Sequence, residues 1–222
     1  MTVKDISQYL EGIAPRSLQE SYDNSGLLVG SPGQEVEKAL ISLDVTETVV
    51  EEAIEKNCQL IIAHHPLIFG GIKSLTGKNY VERSIIKAIQ NKVAIYAIHT
   101  NLDNVHTGVN RRIGEKLGLD SMRILSPKNG LLKKLVVFVP HADAGELSNA
   151  LFAAGAGEIG QYDECSFALK GQGTFRGSEE SNPSIGEKGR RHTEPETRLE
   201  FLVEQHKLRP VLKAMWETHP YE

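Results

Sequence analysis

Three short apolar runs, each followed by a helical pattern, constrain the fold of the first half of the chain more than any other feature. They occupy residues 38–45, 59–63 and 93–98 and read KALISLDV, QLIIA and VAIYAI. Short runs that are apolar on both faces predict buried strands. Strands that alternate with helices are typical of a parallel α/β sheet. We therefore predict a parallel-sheet α/β domain in the N-terminal half.

Helical patterns precede, separate and follow these strands. The first covers residues 3–13, with Thr2 available as its N-cap, and Thr46 is placed to cap a helix through residues 49–54. Residues 81–91 predict a helix before the third strand, and residues 105–119 predict one after it that ends near Gly118.

The character of the chain changes near Lys128, where the turn-rich stretch SPKNG is typical of a domain boundary. Beyond it we predict a strand, a helix, two strands and a second helix, in which Pro210 occupies the tolerated first turn. This order is that of a ferredoxin-like α+β unit that lacks its last strand. The predicted strands lie within residues 133–140, 158–175 and 197–204, the helices at 142–155 and 206–219, and an exposed loop at 176–192.

Two domains follow from this division, one over residues 1–127 and an incomplete one over residues 128–222. The sequence stops where the last ferredoxin-like strand is due to begin. A sheet left without that strand exposes unpaired backbone groups at its edge. We therefore expect this chain to be a fragment, or to complete itself by association.

Bulk composition argues against several classes of protein. The 222 residues include 25 basic and 29 acidic side chains, with no positive excess to hold a nucleic acid. No apolar run approaches the roughly 18 residues of a membrane span, and the charged N-terminus lacks the pattern of a secretory signal. We expect a cytoplasmic protein with no membrane partner. Cys58 and Cys165 lie far apart in sequence and are interpreted as core thiols.

Polar residues with metal-binding side chains follow the ends of the predicted strands. Asp44 follows the first strand, the pair His64 and His65 follows the second, and the segment from His99 to Asp103 follows the third. Ligands of open α/β sheets bind at the carboxyl edge of the strands. These side chains are therefore candidates for one common site.

The residue types point to two divalent metal ions. Histidine nitrogen with aspartate oxygen suits Zn, Fe or Mn. Neighbouring histidines on a strand point to opposite faces, so His64 and His65 are expected to address different ions of a pair about 3.5 to 4 Å apart. Such a pair needs a bridging carboxylate, and Asp103 is the candidate. The alternative is that these histidines are ordinary structural residues.

Other residues near the predicted edge leave alternatives open. His99 is either a ligand or a support for Asp103, and it is the nearest candidate for a general base. Asp44 either reaches the metal edge or caps the helix that follows it. Thr100 and Asn101 are expected to orient their loop through hydrogen bonds to the backbone.

The glycine-bearing segment at residues 20–30 offers a second place for a ligand, since glycine permits close approach of the backbone. In that segment Asp23 and Asn24 could equally cap the turn.

Four segments together resemble the Nif-three-like family, whose members are often called GTP cyclohydrolase 1 type 2 homologues. The segments are ESYDNSGLLVG, SLDVTETVVEEAI, LIIAHHPLIFGGIKSLTG and YAIHTNLDNVHTGVN, and the resemblance covers residues 3–119. Residues 133–222 resemble the PII-like or CutA-like domain that longer members of the family insert between two halves of the metal-binding domain.

The resemblance implies a dinuclear metal site, commonly in a toroidal homohexamer. His64, His65 and Asp103 match the family's ligand positions. The family's remaining ligands, a histidine and a glutamate, belong to a C-terminal half that this sequence does not contain. His219 and Glu222 belong to the end of the inserted domain and are not that pair.

Two functions remain open from the sequence. The first is a metal-dependent hydrolase of the GTP cyclohydrolase type that acts on a small molecule, either a nucleotide or a related heterocycle. The second is a non-catalytic metal-binding protein with a regulatory or assembly role, in which the ferredoxin-like domain senses a ligand or joins subunits.

Overall fold

A computed structural model describes residues 1–221, and the chain forms two compact units. The first unit is Met1–Ser126 and the second begins at Pro127. The first contains strands β1 Gly26–Val29, β2 Ala39–Ser42, β3 Leu60–Ala63 and β4 Ala94–Ala97, with helices α1 Val3–Ile13, α2 Glu47–Glu55, α3 Tyr80–Gln90, α4 Thr100–Asn104 and α5 Val109–Lys116. The second contains strands β5 Leu132–Pro140, β6 Ser166–Arg176 and β7 Arg191–Glu204, with helices α6 Ala144–Ala153 and α7 Leu208–Thr218.

The sheet of the first unit is mixed, in the order β1-β4-β3-β2. The three predicted strands β2, β3 and β4 run parallel, but β1 joins β4 in the antiparallel direction. The expectation of a purely parallel sheet is therefore wrong. The short apolar stretch of β1 follows Gly26, which adopts a left-handed φ of 116°, and the pattern of the segment indicated a turn instead of a strand.

Strand β2 is less buried than its sequence indicated. All four residues of β4 are buried, whereas the side chain of Ile41 in β2 is 80% exposed. The difference arises because β2 lies at the edge of the sheet and β4 lies inside it. An apolar run predicts a strand without revealing whether that strand is central or peripheral.

Side-chain caps begin three helices of the first unit, and the sequence predicted the caps of the first two, α1 and α2. Thr2 and Asp5 form a capping box at α1, and the hydroxyl of Thr46 accepts from the backbone N–H of Val49 at the start of α2. Asn79 caps α3 in the same way.

The helix predicted over residues 105–119 is present but shorter, as α5, and a separate short helix that was not predicted precedes it. The short helix α4 ends at Asn104, and α5 begins at Val109. Gly108 between them has no room for a side chain, since a Cβ at that position would lie 2.0 Å from the carbonyl oxygen of Leu102. Asp103 therefore lies on a short helix and not in a loop.

The two faces of this sheet bury separate cores. Alternate residues of β3 and β4 point to opposite faces, so Ile61 and Ile95 pack with α2 and α3 while Leu60 and Tyr96 pack with α1. Burial on both faces holds the ends of β3 and β4 in fixed positions, and those ends carry the polar residues singled out in the sequence.

The second unit contains a three-stranded antiparallel sheet in the order β5-β7-β6, with its helices on one face. Its elements follow the predicted order β-α-β-β-α. Strand β7 begins at Arg191, earlier than predicted, and pairs with β6 along the whole length of a long hairpin. In the part of the chain that the structure describes, no helix is long and apolar enough to span a membrane.

Candidate metal centre

Three histidines meet at the carboxyl edge of the first sheet. His64 and His65 follow β3, His99 follows β4, and the two strands are parallel neighbours. The ring centroids are 5.0 to 5.5 Å apart, and one ligand nitrogen from each ring lies within 4.8 Å of the others. We call these three residues the histidine cluster.

Each ring of the histidine cluster is fixed through its Nδ1 atom by an oxygen. A carbonyl or carboxylate oxygen that faces an imidazole nitrogen accepts a hydrogen bond from its N–H group. Nδ1 therefore carries the hydrogen, and Nε2 is the nitrogen that remains for a ligand. The partners are the carbonyl oxygen of Ile98 for His64 at 2.9 Å, Oδ1 of Asp44 for His65 at 2.7 Å and Oδ1 of Asp23 for His99 at 2.9 Å.

This donor set fits a divalent metal ion of the Zn, Fe or Mn type. Metal-binding histidines commonly donate their second ring N–H to a carboxylate or a carbonyl oxygen, which orients the ring and raises its basicity. All three rings of the cluster have such a partner. The histidines are therefore positioned to bind a metal ion without a change of tautomer.

Asp103 lies beside the cluster on α4. Its Oδ1 is 3.9 Å from Nε2 of His64, so an ion between the two atoms would be within reach of both. Asn110 donates to the carbonyl oxygen of Asp103 at 2.9 Å, which ties α4 to α5. Of the sequence-predicted ligands, the structure thus brings His64, His65 and Asp103 together, and their role as ligands stays a prediction.

His99 joins the histidines, and its fixed partner is Asp23 and not Asp103. The sequence singled out Asp23 only as a turn residue, yet its side chain is fully buried. It also accepts from the backbone N–H of Thr100 at 3.1 Å and from the hydroxyls of Thr100 and Ser25.

The environment of Asp23 keeps its carboxyl group ionised. Burial raises the pKa of Asp23, but the hydrogen bonds from Thr100, His99 and Ser25 outweigh burial and hold the pKa well below its usual value. A permanently ionised carboxylate behind His99 favours the Nδ1–H tautomer. The 76 residues that separate the two side chains in sequence concealed this pair.

The polar residues of α4 orient the loop, as predicted. Asn101 is fully buried, accepts from the backbone N–H of His99 at 2.9 Å and donates to the carbonyl oxygen of Ala14 at 2.7 Å. The hydroxyl of Thr100 accepts from the backbone N–H of Glu20 at 2.9 Å. These contacts fix the position of His99.

The structure shows the contacts of Asp44 and Asn24, for which the sequence left two roles open. Asp44 contacts His65, and Thr46 caps α2, so Asp44 belongs to the edge with the histidines. The backbone N–H of Asn24 is bonded to the side chain of Asp23 at 2.6 Å, and its amide nitrogen donates to the carbonyl oxygen of Ile68 at 2.7 Å.

His219, in the second unit, is engaged through both ring nitrogens. Its Nε2 donates to the carbonyl oxygen of Phe138 at 2.8 Å, and its Nδ1 accepts from the backbone N–H of Tyr221 at 3.1 Å. One of these bonds would have to break before His219 could bind a metal. Glu222, the other residue set aside in the sequence, lies outside the described residues.

A mixed α/β fold with histidines fixed at its carboxyl edge defines a candidate metal-binding protein. The model of the family Duf34/NIF3 (NGG1p interacting factor 3) matches residues 1–205, and the chain belongs to this family. It is 42% identical over 98% of its length to a protein of Halalkalibacterium halodurans named GTP cyclohydrolase 1 type 2 homolog, and 38% identical over 99% to the protein of the same name in Bacillus subtilis.

Solved structures of related proteins have the same fold. A Bacillus cereus protein related to NIF3 matches all of this chain with 40% identity and a TM-score of 0.83. A Staphylococcus aureus protein matches all of it with 32% identity and a TM-score of 0.66. The chain spans 59% of the Halalkalibacterium halodurans, Bacillus subtilis and Bacillus cereus chains and 57% of the Staphylococcus aureus chain.

Proposed function

We propose that this chain provides part of a dinuclear metal centre in a metal-dependent hydrolase. His64, His65 and Asp103 hold two divalent ions, either Zn, Fe or Mn. The observation that carries the proposal is the orientation of His64 and His65, in which an oxygen acceptor holds each Nδ1 and leaves each Nε2 for a ligand.

The chain's own residues have separate roles in this proposal. Divalent ions supply Lewis-acid polarisation and increase the acidity of water at neutral pH. Asp103, whose Oδ1 lies 3.9 Å from Nε2 of His64, is the carboxylate that would be shared by the two ions. His99 accepts a proton at Nε2 as the general base, because the ionised carboxylate of Asp23 stabilises the charged imidazolium that results.

The proposed substrate is a small nucleotide-like molecule. Two relatives that share 38 to 42% of their residues with this chain are named GTP cyclohydrolase 1 type 2 homolog, which motivates GTP as the first compound to test. The 25 basic and 29 acidic side chains provide no general positive field, so we expect no nucleic acid partner.

Three ligands under-coordinate two ions, so we propose that further ligands come from outside this sequence. A histidine and a glutamate are expected in the part of the relatives' length that this chain does not span. We further propose that the assembled protein is a cytoplasmic homohexamer.

The second unit is proposed to be a ferredoxin-like insert of the PII or CutA type. The order β5-β7-β6 is that of a ferredoxin-like sheet without its last strand, which would pair with β5. This unit also favours the second candidate function, a non-catalytic metal-binding protein in which the insert serves regulation or assembly.

A turnover assay distinguishes the hydrolase from the non-catalytic metal-binding protein. The full-length protein is loaded with Zn, Mn or Fe and incubated with GTP and other nucleotides, and product formation is followed by chromatography. We expect metal-dependent turnover that the substitution His65→Ala abolishes. Inactivity with every metal and nucleotide would favour the non-catalytic function.

A matched histidine provides the control for this experiment. Nδ1 of His206, in the second unit, lies 3.2 Å from Oε2 of Glu204, and His206 lies outside the histidine cluster. His206→Ala is expected to keep wild-type turnover, while circular dichroism shows that both variants remain folded. Equal losses in the two variants would contradict the assignment of the site.

A further inference from the structure

We propose that Tyr22 and Phe69 form a stacking platform for a planar heteroaromatic ring of the substrate, beside the histidine cluster. The proposal rests on the function proposed above and deepens it, because it names the chemical class that the site selects. We call these two side chains the aromatic platform.

The aromatic platform adjoins the proposed reacting groups. The ring of Phe69 packs edge-on against His99, with 6.5 Å between centroids and an interplanar angle of 76°. The ring of Tyr22 lies 6.3 Å from that of Phe69 at 44°. A chain of rings therefore extends from the histidine cluster outwards through Phe69 to Tyr22.

Both platform side chains are accessible to a ligand. Tyr22 is 64% exposed and Phe69 is 56% exposed, whereas the buried aromatic residues Tyr96 and Phe201 are each 1% exposed. Exposed aromatic rings at the mouth of a polar site gain little stability from packing in the free protein. A flat ligand ring would remove them from water and gain stacking energy.

The backbone beneath the platform is anchored. The side-chain amide of Asn24 donates to the carbonyl oxygen of Ile68. Asn24 lies two residues after Tyr22 and Ile68 lies directly before Phe69, so this bond joins the two segments that carry the rings. Asp23, next to Tyr22, is buried and holds His99. The buried residue that orients His99 is thus the chain neighbour of one platform ring, and the ring of Phe69 packs against His99 itself.

Selection of aromatic ligands follows from this arrangement. A planar ring stacked on the platform would hold an attached polar group over the histidine cluster. An aliphatic ligand with the same polar group would lack the stacking energy and would bind more weakly. The aromatic platform would thereby distinguish ring-bearing substrates from other anions that reach the metal centre.

The test is a comparison of two ligands that differ by the ring. Isothermal titration calorimetry on the full-length, metal-loaded protein measures Kd for GTP and for ribose 5-triphosphate, which lacks the base. We expect GTP to bind at least about fivefold more tightly, a ratio set by the usual contribution of one stacked base. The ratio is expected to fall to about one in Phe69→Ala and to decrease in Tyr22→Ala.

Two further variants keep the interpretation specific. Phe69→Tyr retains the ring and is expected to retain the ratio. Tyr9→Ala removes another exposed tyrosine of the same unit, on α1, and is expected to leave the ratio unchanged. Size-exclusion chromatography of each variant shows whether the platform serves contacts between copies of the chain.

The outcomes distinguish this proposal from the hydrolase itself. Equal affinities of the wild-type protein for the two ligands, or failure to bind either, would overturn the platform. A change in oligomeric state in Phe69→Ala with an unchanged ratio would also overturn it. A ring preference without turnover would support the platform and reject the hydrolase, and turnover without a ring preference would do the reverse.

Discussion

The two units of the molecule contain four histidines each, and only those of the first unit converge. Three of the four in the first unit form the histidine cluster, the only group of three or more metal-binding side chains among residues 1–221. The histidines of the second unit each have partners within that unit. These partners are Thr197 for His141, Glu194 for His192, Glu204 for His206, and Phe138 and Tyr221 for His219.

Sheet direction explains the difference between the units. Parallel neighbours end at the same edge, so residues that follow β3 and β4 meet although more than 30 residues separate them. In the second unit β7 runs antiparallel to both of its neighbours, so the residues that follow it lie at the opposite edge from those that follow β5 and β6. Histidine content alone therefore does not indicate a metal site.

Removal of one histidine from each unit is expected to give the largest contrast. His64→Ala removes a proposed ligand, and metal affinity is expected to fall at least 100-fold, more than the roughly 10- to 100-fold loss typical of an outer-shell partner. His219→Ala is expected to leave metal affinity unchanged. Titration with zinc and a competing chelator measures both, and equal affinities would remove the distinction between the units.

The buried Asp23 provides the next largest effect. Asp23→Asn keeps the shape of the side chain but removes the charge behind His99, and metal affinity or turnover is expected to fall about 10- to 100-fold. In the second unit, Glu194→Gln alters the partner of His192 and is expected to change neither. The same chelator titration applies, and a wild-type result for Asp23→Asn would show that the His99 contact is not functional.

Helix caps differ between the units and predict a smaller effect. Thr46 caps α2 through its hydroxyl, whereas Asp143, which precedes α6, makes no side-chain cap bond. Thr46→Ala is expected to lower the free energy of unfolding by about 1 kcal/mol, and Asp143→Ala by only a few tenths. Urea unfolding measures both, and equal losses would show that the caps do not distinguish the units.

Two carboxylates with lowered pKa values predict the smallest effects. Backbone N–H groups of Thr76 and Lys78 lower the pKa of Glu82 in the first unit, whereas Lys134 and Arg198 lower that of Glu200 in the second. Each group stabilises the fold above its unfolded pKa near 4.5, and this stabilisation is lost as pH falls through the lower folded pKa.

The substitutions of the two carboxylates are expected to respond differently to salt. Glu200→Gln is expected to destabilise the protein at pH 7 in low salt and less in 1 M salt, because its partners are exposed cations. Glu82→Gln is expected to have an effect that persists in salt but decreases at low pH. Urea midpoints at pH 7 and pH 4 measure both, and the same salt response in both variants would refute the assigned causes.

The sequence predicted the strands and helices that depend on local pattern. Apolar runs located β2, β3 and β4, and capping residues located the starts of α1 and α2. Strand β1 and the short helix α4 were missed. Strand β1 depends on an antiparallel partner that is distant in sequence, and the close packing around Gly108 that ends the turn after α4 is not visible in the pattern of residues. A sequence pattern indicates the secondary structure that a segment prefers, but it does not show which other segment packs against it.

The candidate site was also predictable only where it depends on local sequence pattern. The proximity of His64, His65 and Asp103 was predictable because strand ends are readable in sequence and the strands β3 and β4 are parallel. The Asp23 contact to His99 joins segments 76 residues apart through the unforeseen strand β1. Nothing in the spacing of these residues indicated that pair.

A crystal structure of the full-length protein loaded with zinc, with anomalous diffraction at the zinc edge, tests the central claim most directly. The account predicts two anomalous peaks at the carboxyl edge of the first sheet, each about 2.0 to 2.2 Å from its ligands, with one beside Nε2 of His64 and the other beside Nε2 of His65. It also predicts that Asp103 bridges them. Zinc bound only by histidines of the second unit, or no bound zinc, would contradict the account.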